Sequence, residues 1–249
     1  MSDSQSFRPG AAAQTVGGAA QTGRVALVMS GVGRLGTAVV RGLASRGYSV
    51  AIHADGPFSE ARALAQELEA AGVPSLAVTA DLRDEGPIRA VVHRVADHFG
   101  RIDGLVNCLP LKRHCPLEEV TAHDLRLHFD VNCVAAFVAA QEVGEFMVRQ
   151  PEGGAIVLVG DAAAERPGRD AAAWLPSLAA IPAVARSLAE ELAARNPRVR
   201  VNCLLPGAAA GDAAAVQVAD AVLFLLENEG ITGVRLPVAG IAPGTAPAG

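Results

Sequence analysis

The residues able to do chemistry fall at the ends of short apolar runs. Asp161 follows the run ending at Gly160. A carboxyl set against an apolar wall has a raised pKa and can serve as general acid or base. The same residue also reads as a turn or capping Asp before Ala162 and Ala163. Lys112, Arg113 and His114 lie a few residues beyond the run ending at Asn107; they read either as an anion site or as a solvated loop. From Arg24 to Gly36 the chain reads as strand, glycine turn and helix start, with Val25 to Val28 apolar and Ser30, Gly31, Arg34, Leu35 and Gly36 in and after the turn. A tight glycine turn feeding a helix N-terminus offers unpaired N–H groups to a phosphate. Ser30 and Arg34 stand where glycines are common. Asp55, 19 residues beyond Gly36, can bind a ribose diol and repel a 2′-phosphate, or it is a solvated turn residue before Gly56 and Pro57. Asp81 and Leu82 are placed to frame an adenine. Pro206 and Gly207 also follow an apolar run.

These residues need a scaffold, and the hydrophobic pattern supplies one. Strand-like runs are expected at about 25–29, 49–54, 75–80, 103–107, 154–160, 199–203 and 233–237, with helices at about 35–46, 58–72, 86–99, 122–149, 171–195 and 212–228. In helix 58–72, Ala61, Leu64, Ala65 and Leu68 form one buried stripe, Ser59 can cap it, and Gly72 and Pro74 end it. Alternating strands and helices predict an α/β fold: a doubly wound, Rossmann-type, seven-stranded parallel sheet with helices on both faces. Ligands of such sheets bind beyond the carboxyl ends of the strands, where the residues above fall. Residues 1–22, rich in Gly, Ala, Ser and Gln, are expected to be a flexible tail, and 23–249 a single domain.

Composition narrows the function. The chain has 249 residues, is 51% hydrophobic and carries a net charge of −5, which argues against nucleic acid as the main partner. Cys108, Cys115, Cys133 and Cys203 form no CxxC pair and have no metal-ligand spacing, and the histidines have none either. No metal is expected. Apolar runs are strand-length and the N-terminus lacks a signal-peptide pattern, so a cytoplasmic protein with no membrane contact is expected. Tyr48 is the one tyrosine and Lys112 the one lysine in the chain. No mechanism that needs a Tyr and a Lys one helical turn apart is open to it.

Taken together, the glycine turn, Asp81-Leu82, Leu105-Val-Asn107, Asp130-Val-Asn132, Gly160-Asp161, Arg198-Val-Arg-Val-Asn202, Pro206-Gly207 and Ile231-Thr-Gly233 resemble the short-chain dehydrogenase/reductase family over about residues 24–240. The pteridine-reductase-like branch is most similar: it has an Arg where Arg34 stands and an Asp where Asp161 stands. The resemblance implies an NAD(H) or NADP(H) cofactor, an Asn at position 132 that helps hold a water relay, and a catalytic Tyr and Lys at the positions of Trp174 and Leu178. Indole does not titrate and Leu carries no charge. Loss of general acid–base help costs about 10²–10⁴-fold. Between Gly207 and the helix containing Ala219 the family's substrate-covering segment is shortened to roughly a dozen residues. The expectation is therefore a degenerate family member acting as scaffold, regulatory subunit or ligand-binding protein. The alternatives are an oxidoreductase with Asp161 as a non-standard catalytic group, or a non-redox lyase, isomerase or cyclase in the old cleft. Self-association is expected, as a homo-oligomer or with an active homologue, through the Ala-rich helices at 122–149 and 171–195.

Overall fold

The computed structural model describes residues 23–109, 111–165, 168–207 and 211–238, without the side chains of 164 and 165. The expected tail at 1–22 lies outside the described residues. Seven parallel strands form one sheet: β1 (Val25–Met29), β2 (Ser49–Ala54), β3 (Ser75–Thr79), β4 (Gly104–Asn107), β5 (Gly154–Val159), β6 (Val199–Pro206) and β7 (Arg235–Val238), in the order β3-β2-β1-β4-β5-β6-β7. The order reverses between β1 and β4, so a crevice opens at their carboxyl ends. Every residue of β1 and β2 is buried, as expected for strands covered on both faces. One face packs α3 (Glu85–Phe99), α5 (Ala135–Met147) and α7 (Ile181–Ala193); the other packs α1 (Gly33–Ser45), α2 (Phe58–Ala70) and α8 (Asp212–Glu227).

Two expected helices are broken, and both breaks matter for the site. The segment read as 122–149 is α4 (Ala122–Phe129), a π-helical turn at Asp130–Val134, then α5. Thr121 and Asp124 cap α4 reciprocally, side chain to backbone. The segment read as 171–195 is a short α6 (Leu175–Ala179) followed by α7. Pro176 and Pro182 each stand in the first turn of their helix, where a missing N–H costs nothing, and each marks a fresh start rather than a continuation.

Candidate functional site

The glycine corner is built as a cradle. A Cβ on Gly36 would lie 2.2 Å from the Ser30 carbonyl oxygen and 2.6 Å from the Gly31 carbonyl carbon, so only glycine lets α1 approach the turn. Ser30 adopts φ +50°, a left-handed conformation that is rare outside glycine. Val32, at the N-cap of α1, offers no side-chain cap, which leaves the first-turn N–H groups for a ligand. Arg34 reaches across to Asp212 at 3.5 Å, tying the N-termini of α1 and α8 together. Leu35 packs partly buried against the core.

His53 holds this turn in place. Its side chain is fully buried at the end of β2. The Ser30 N–H donates to His53 Nδ1 (3.3 Å), and the His53 Nε2–H donates to the Ala80 carbonyl (3.4 Å). The Gly31 N–H donates to the His53 carbonyl (2.8 Å). This pattern requires the neutral ring with its proton on Nε2. Burial pushes the His53 pKa down, against smaller opposing effects of the Ala80 bond and Asp55. From sequence His53 was one histidine among several. Its role arises because strands distant in sequence, β1 and β3, lie on either side of β2.

Further along the carboxyl edge, Asp55 is exposed just beyond β2. Asp81 is clamped by the Arg83 guanidinium and the Arg83 N–H, which hold its carboxyl down at about 2. Leu82 is buried. Asn107 ends β4 beside Met29 of β1, and its Oδ1 is buried without a partner. Pro206 ends β6, Gly207 follows it, and both border the cleft, with α8 beginning at Asp212. Residues 208–210 between them lie outside the described residues.

The cleft, of about 560 Å³, opens between the corner, Asp161, Trp174 and α8. Asp161 is buried and meets a partner from a loop 49 residues earlier: the Lys112 ammonium donates to its Oδ2, while the Ala163 N–H donates to Oδ1 at 2.6 Å. The expectation of an Asp161 set against an apolar wall is corrected by this ion pair. Trp174 is not inside a helix; it is the N-cap of α6, because Pro176 starts the helix there. Its ring lies 5.5 Å from Lys112 Nζ and edge-to-face with His114 at 5.6 Å. Leu178 is fully buried in the core, so its position adds nothing to the cleft.

Asn132 sits in the π turn, fully buried. Its Oδ1 accepts from the Leu111 N–H (2.7 Å), and its Nδ2 donates to the Leu111 carbonyl and to Ser177 Oγ (both 2.9 Å). Ser177 Oγ in turn donates to the Trp174 carbonyl (2.6 Å). One amide thus fixes the loop that carries Lys112 and the helix start that carries Trp174. His128, fully buried, pins the same loop from the other side: its Nδ1–H donates to the Asp124 carbonyl (2.7 Å) and its Nε2 accepts from the Arg113 N–H (3.3 Å). Ser177 and His128 carry no sequence signal: neither belongs to a motif, and each acts through a partner from elsewhere in the chain, Asn132 for Ser177 and Arg113 for His128.

Tyr48 lies at the opposite end of the sheet, buried under the Arg24 guanidinium (4.2 Å). The hollow there is structural. Arg24 pairs with Glu227, Arg101 grips Asp103, and the buried Arg200 donates to the Leu225, Leu226 and Ile231 carbonyls. Among the described residues no three His, Cys, Asp or Glu side chains come together to hold a metal, and no helix is long and apolar enough to cross a membrane.

The doubly wound sheet, its glycine corner and the cleft at the strand ends define a Rossmann-type fold of the dinucleotide-binding class. A family model described as short chain dehydrogenase matches residues 24–221, and the chain belongs to that family. It is 30% identical over 214 residues to the 3-oxoacyl-acyl-carrier-protein reductase FabG of Staphylococcus aureus, covering 85% of this chain and 82% of that one. The solved acetoin dehydrogenase of Enterobacter cloacae superposes with a TM-score of 0.81 at 27% identity, over 91% of this chain and all of the other. A blue fluorescent protein from a metagenomic library, solved in complex with NADPH, superposes with a TM-score of 0.79 at 32% identity, over 88% and 97%. These findings correct the expectation of a non-catalytic scaffold, regulatory subunit or ligand-binding protein: the Staphylococcus aureus and Enterobacter cloacae relatives, which match most of the chain, are named a reductase and a dehydrogenase. The non-redox alternative falls with it. That expectation rested on the residues at 174 and 178 and on the shortened segment after Gly207; the structure adds to the cleft an ammonium that the 111–114 loop delivers to Asp161.

Proposed function

We propose that this chain is a nicotinamide-dinucleotide-dependent oxidoreductase that interconverts a carbonyl and a hydroxyl group, with the Lys112–Asp161 pair handling the proton. The observation that carries the reading is that ion pair, set in the wall of the cleft that borders the glycine corner. The corner fits a dinucleotide: Gly36 leaves no room for a Cβ, and α1 leaves its N-terminal groups uncapped. Asp55 favours NAD(H), since a carboxylate there accepts from a ribose diol and repels a 2′-phosphate.

When bound, the dinucleotide supplies or accepts the hydride. Asp161, its Oδ1 fixed by the Ala163 N–H, orients the Lys112 ammonium through Oδ2. In the reducing direction Nζ–H gives a proton to the substrate oxygen, and solvent restores it, because the Lys112 side chain is 37% exposed. In the oxidising direction the hydroxyl proton leaves to solvent along the same Lys112–Asp161 contact. Asn132 and Ser177 keep this lysine's loop in register with Trp174.

Arg34 and Asp161 support placement near the pteridine-reductase-like branch. Self-association through the α4–α5 face is supported by Leu125, Val134 and Phe137, which are exposed there; a monomeric mass by light scattering would refute it. The four unpaired thiols support a reducing, cytoplasmic setting. The test of function is nicotinamide absorbance with a panel of aldehydes and ketones. Lys112→Ala and Asp161→Asn are expected to lower kcat about 10²-fold or more. Unchanged turnover in Lys112→Ala would remove the proposed mechanism.

A further inference from the structure

The cleft holds more polar groups than proton transfer needs. The Trp174 indole N–H is buried and has no hydrogen-bond partner, although the residue lines the cleft. A buried donor without a partner is costly, and an oxygen of a ligand can satisfy it. Three cations line the same cleft against one carboxylate. Arg34 is tied to Asp212 and Lys112 to Asp161, whereas Arg169 forms no ion pair among the described residues. Indole, guanidinium and ammonium only donate, and both oxygens of Asp161 are already engaged, which leaves the His114 imidazole as the one side chain of the wall able to accept. A polyol or an amine, which would bring donors of its own, is poorly matched. Apart from His114 and the glycines, the rest of the wall is aliphatic, including Leu35, Val159, Ala171, Ala214 and Val218.

We infer that the substrate is an aliphatic oxo acid, or the corresponding hydroxy acid. Its reacting oxygen accepts from Trp174 Nε1–H beside Lys112, its carboxylate faces Arg169, and its alkyl chain lies along the apolar wall. This rests on the oxidoreductase reading above and sharpens it to a substrate class.

Trp174 is the one tryptophan in the chain, so intrinsic fluorescence of the full-length protein reports ligand arrival in this cleft without any need for turnover. Titrations would compare 2-oxohexanoate with 2-hexanone, which has the carbonyl and a similar chain but no carboxylate. The expected result is a saturable fluorescence change, with 2-oxohexanoate binding at least tenfold tighter, roughly the yield of one charge-assisted hydrogen bond. In Arg169→Ala, whose wild-type side chain is exposed and so not needed for folding, the two ligands should come within about threefold. Equal affinities in the wild type, a tenfold preference that survives Arg169→Ala, or no response to 2-oxohexanoate would each overturn the inference. A parallel nicotinamide absorbance assay separates the two claims. Carboxylate-selective binding without hydride transfer supports the substrate class and removes the redox reading. Turnover of 2-hexanone with no carboxylate preference does the reverse.

Discussion

Substitution at His53 separates two things that this ring does for the glycine corner: accepting a hydrogen bond, and titrating. His53→Leu keeps the volume but leaves the Ser30 N–H and the Ala80 carbonyl without partners. At about 1–3 kcal/mol for each group left unpaired, the loss is about 2–6 kcal/mol. For a chain of this size that lowers Tm by on the order of 10 °C. Ser30 would also lose what holds it at φ +50°, so NADH affinity should fall at least tenfold. His53→Asn is the informative contrast: its side-chain carbonyl can take the Ser30 N–H, but it does not titrate. Burial lowers the folded-state pKa of His53, so below its ordinary value of about 6.5 the unfolded chain binds a proton that the folded chain does not. The stabilising contribution is therefore complete above about pH 6.5 and is lost as pH falls below it, at up to about 1.4 kcal/mol per pH unit. Urea unfolding of wild type and His53→Asn between about pH 7.5 and 5 measures this. The wild-type advantage should shrink steadily on acidification. A difference that stays constant over that range would refute a neutral, turn-holding His53.

Three further outcomes follow from the same geometry. Gly36→Ala forces a methyl into the Ser30 carbonyl; it should cost about 1–3 kcal/mol and weaken NADH binding by more than tenfold in calorimetric titration. Asp55→Asn removes the charge that opposes a 2′-phosphate, so the ratio of NADPH to NADH affinity should rise about tenfold, read by the same titrations. Asn132→Ala frees Leu111 and Ser177 together; turnover should fall about tenfold or more, with the Trp174 emission spectrum shifted because the start of α6 is no longer pinned.

The sheet was legible because its signals are local. Val25 to Val28 reads as a buried parallel strand with no tertiary information, and helix 58–72 announces its own stripe and stop. The paired starts at Pro176 and Pro182 were equally local, yet the alanine-rich pattern around them read as one continuous helix. The π turn at Asp130–Val134 left no mark in the apolar period, so 122–149 read as unbroken. The site was harder for a different reason. Lys112 and Asp161 are 49 residues apart and meet only because β4 and β5 are neighbours. Asn132 signals nothing until Leu111 and Ser177 surround it. A buried polar residue takes its meaning from its partners, and here the partners come from other elements.

The lysine in the cleft has a practical consequence. It carries the one side-chain primary amine in the protein; every other fixed cationic side chain is a guanidinium, which acylating reagents and aldehydes leave alone under mild conditions. Apart from the chain terminus, amine-directed labelling therefore addresses a single atom, at the mouth of the cleft and against Asp161. A fluorophore, crosslinker or isotope-enriched methyl group can be delivered there without mutagenesis. Its rate of attachment, with and without an occupant in the cleft, becomes a footprint of that one location.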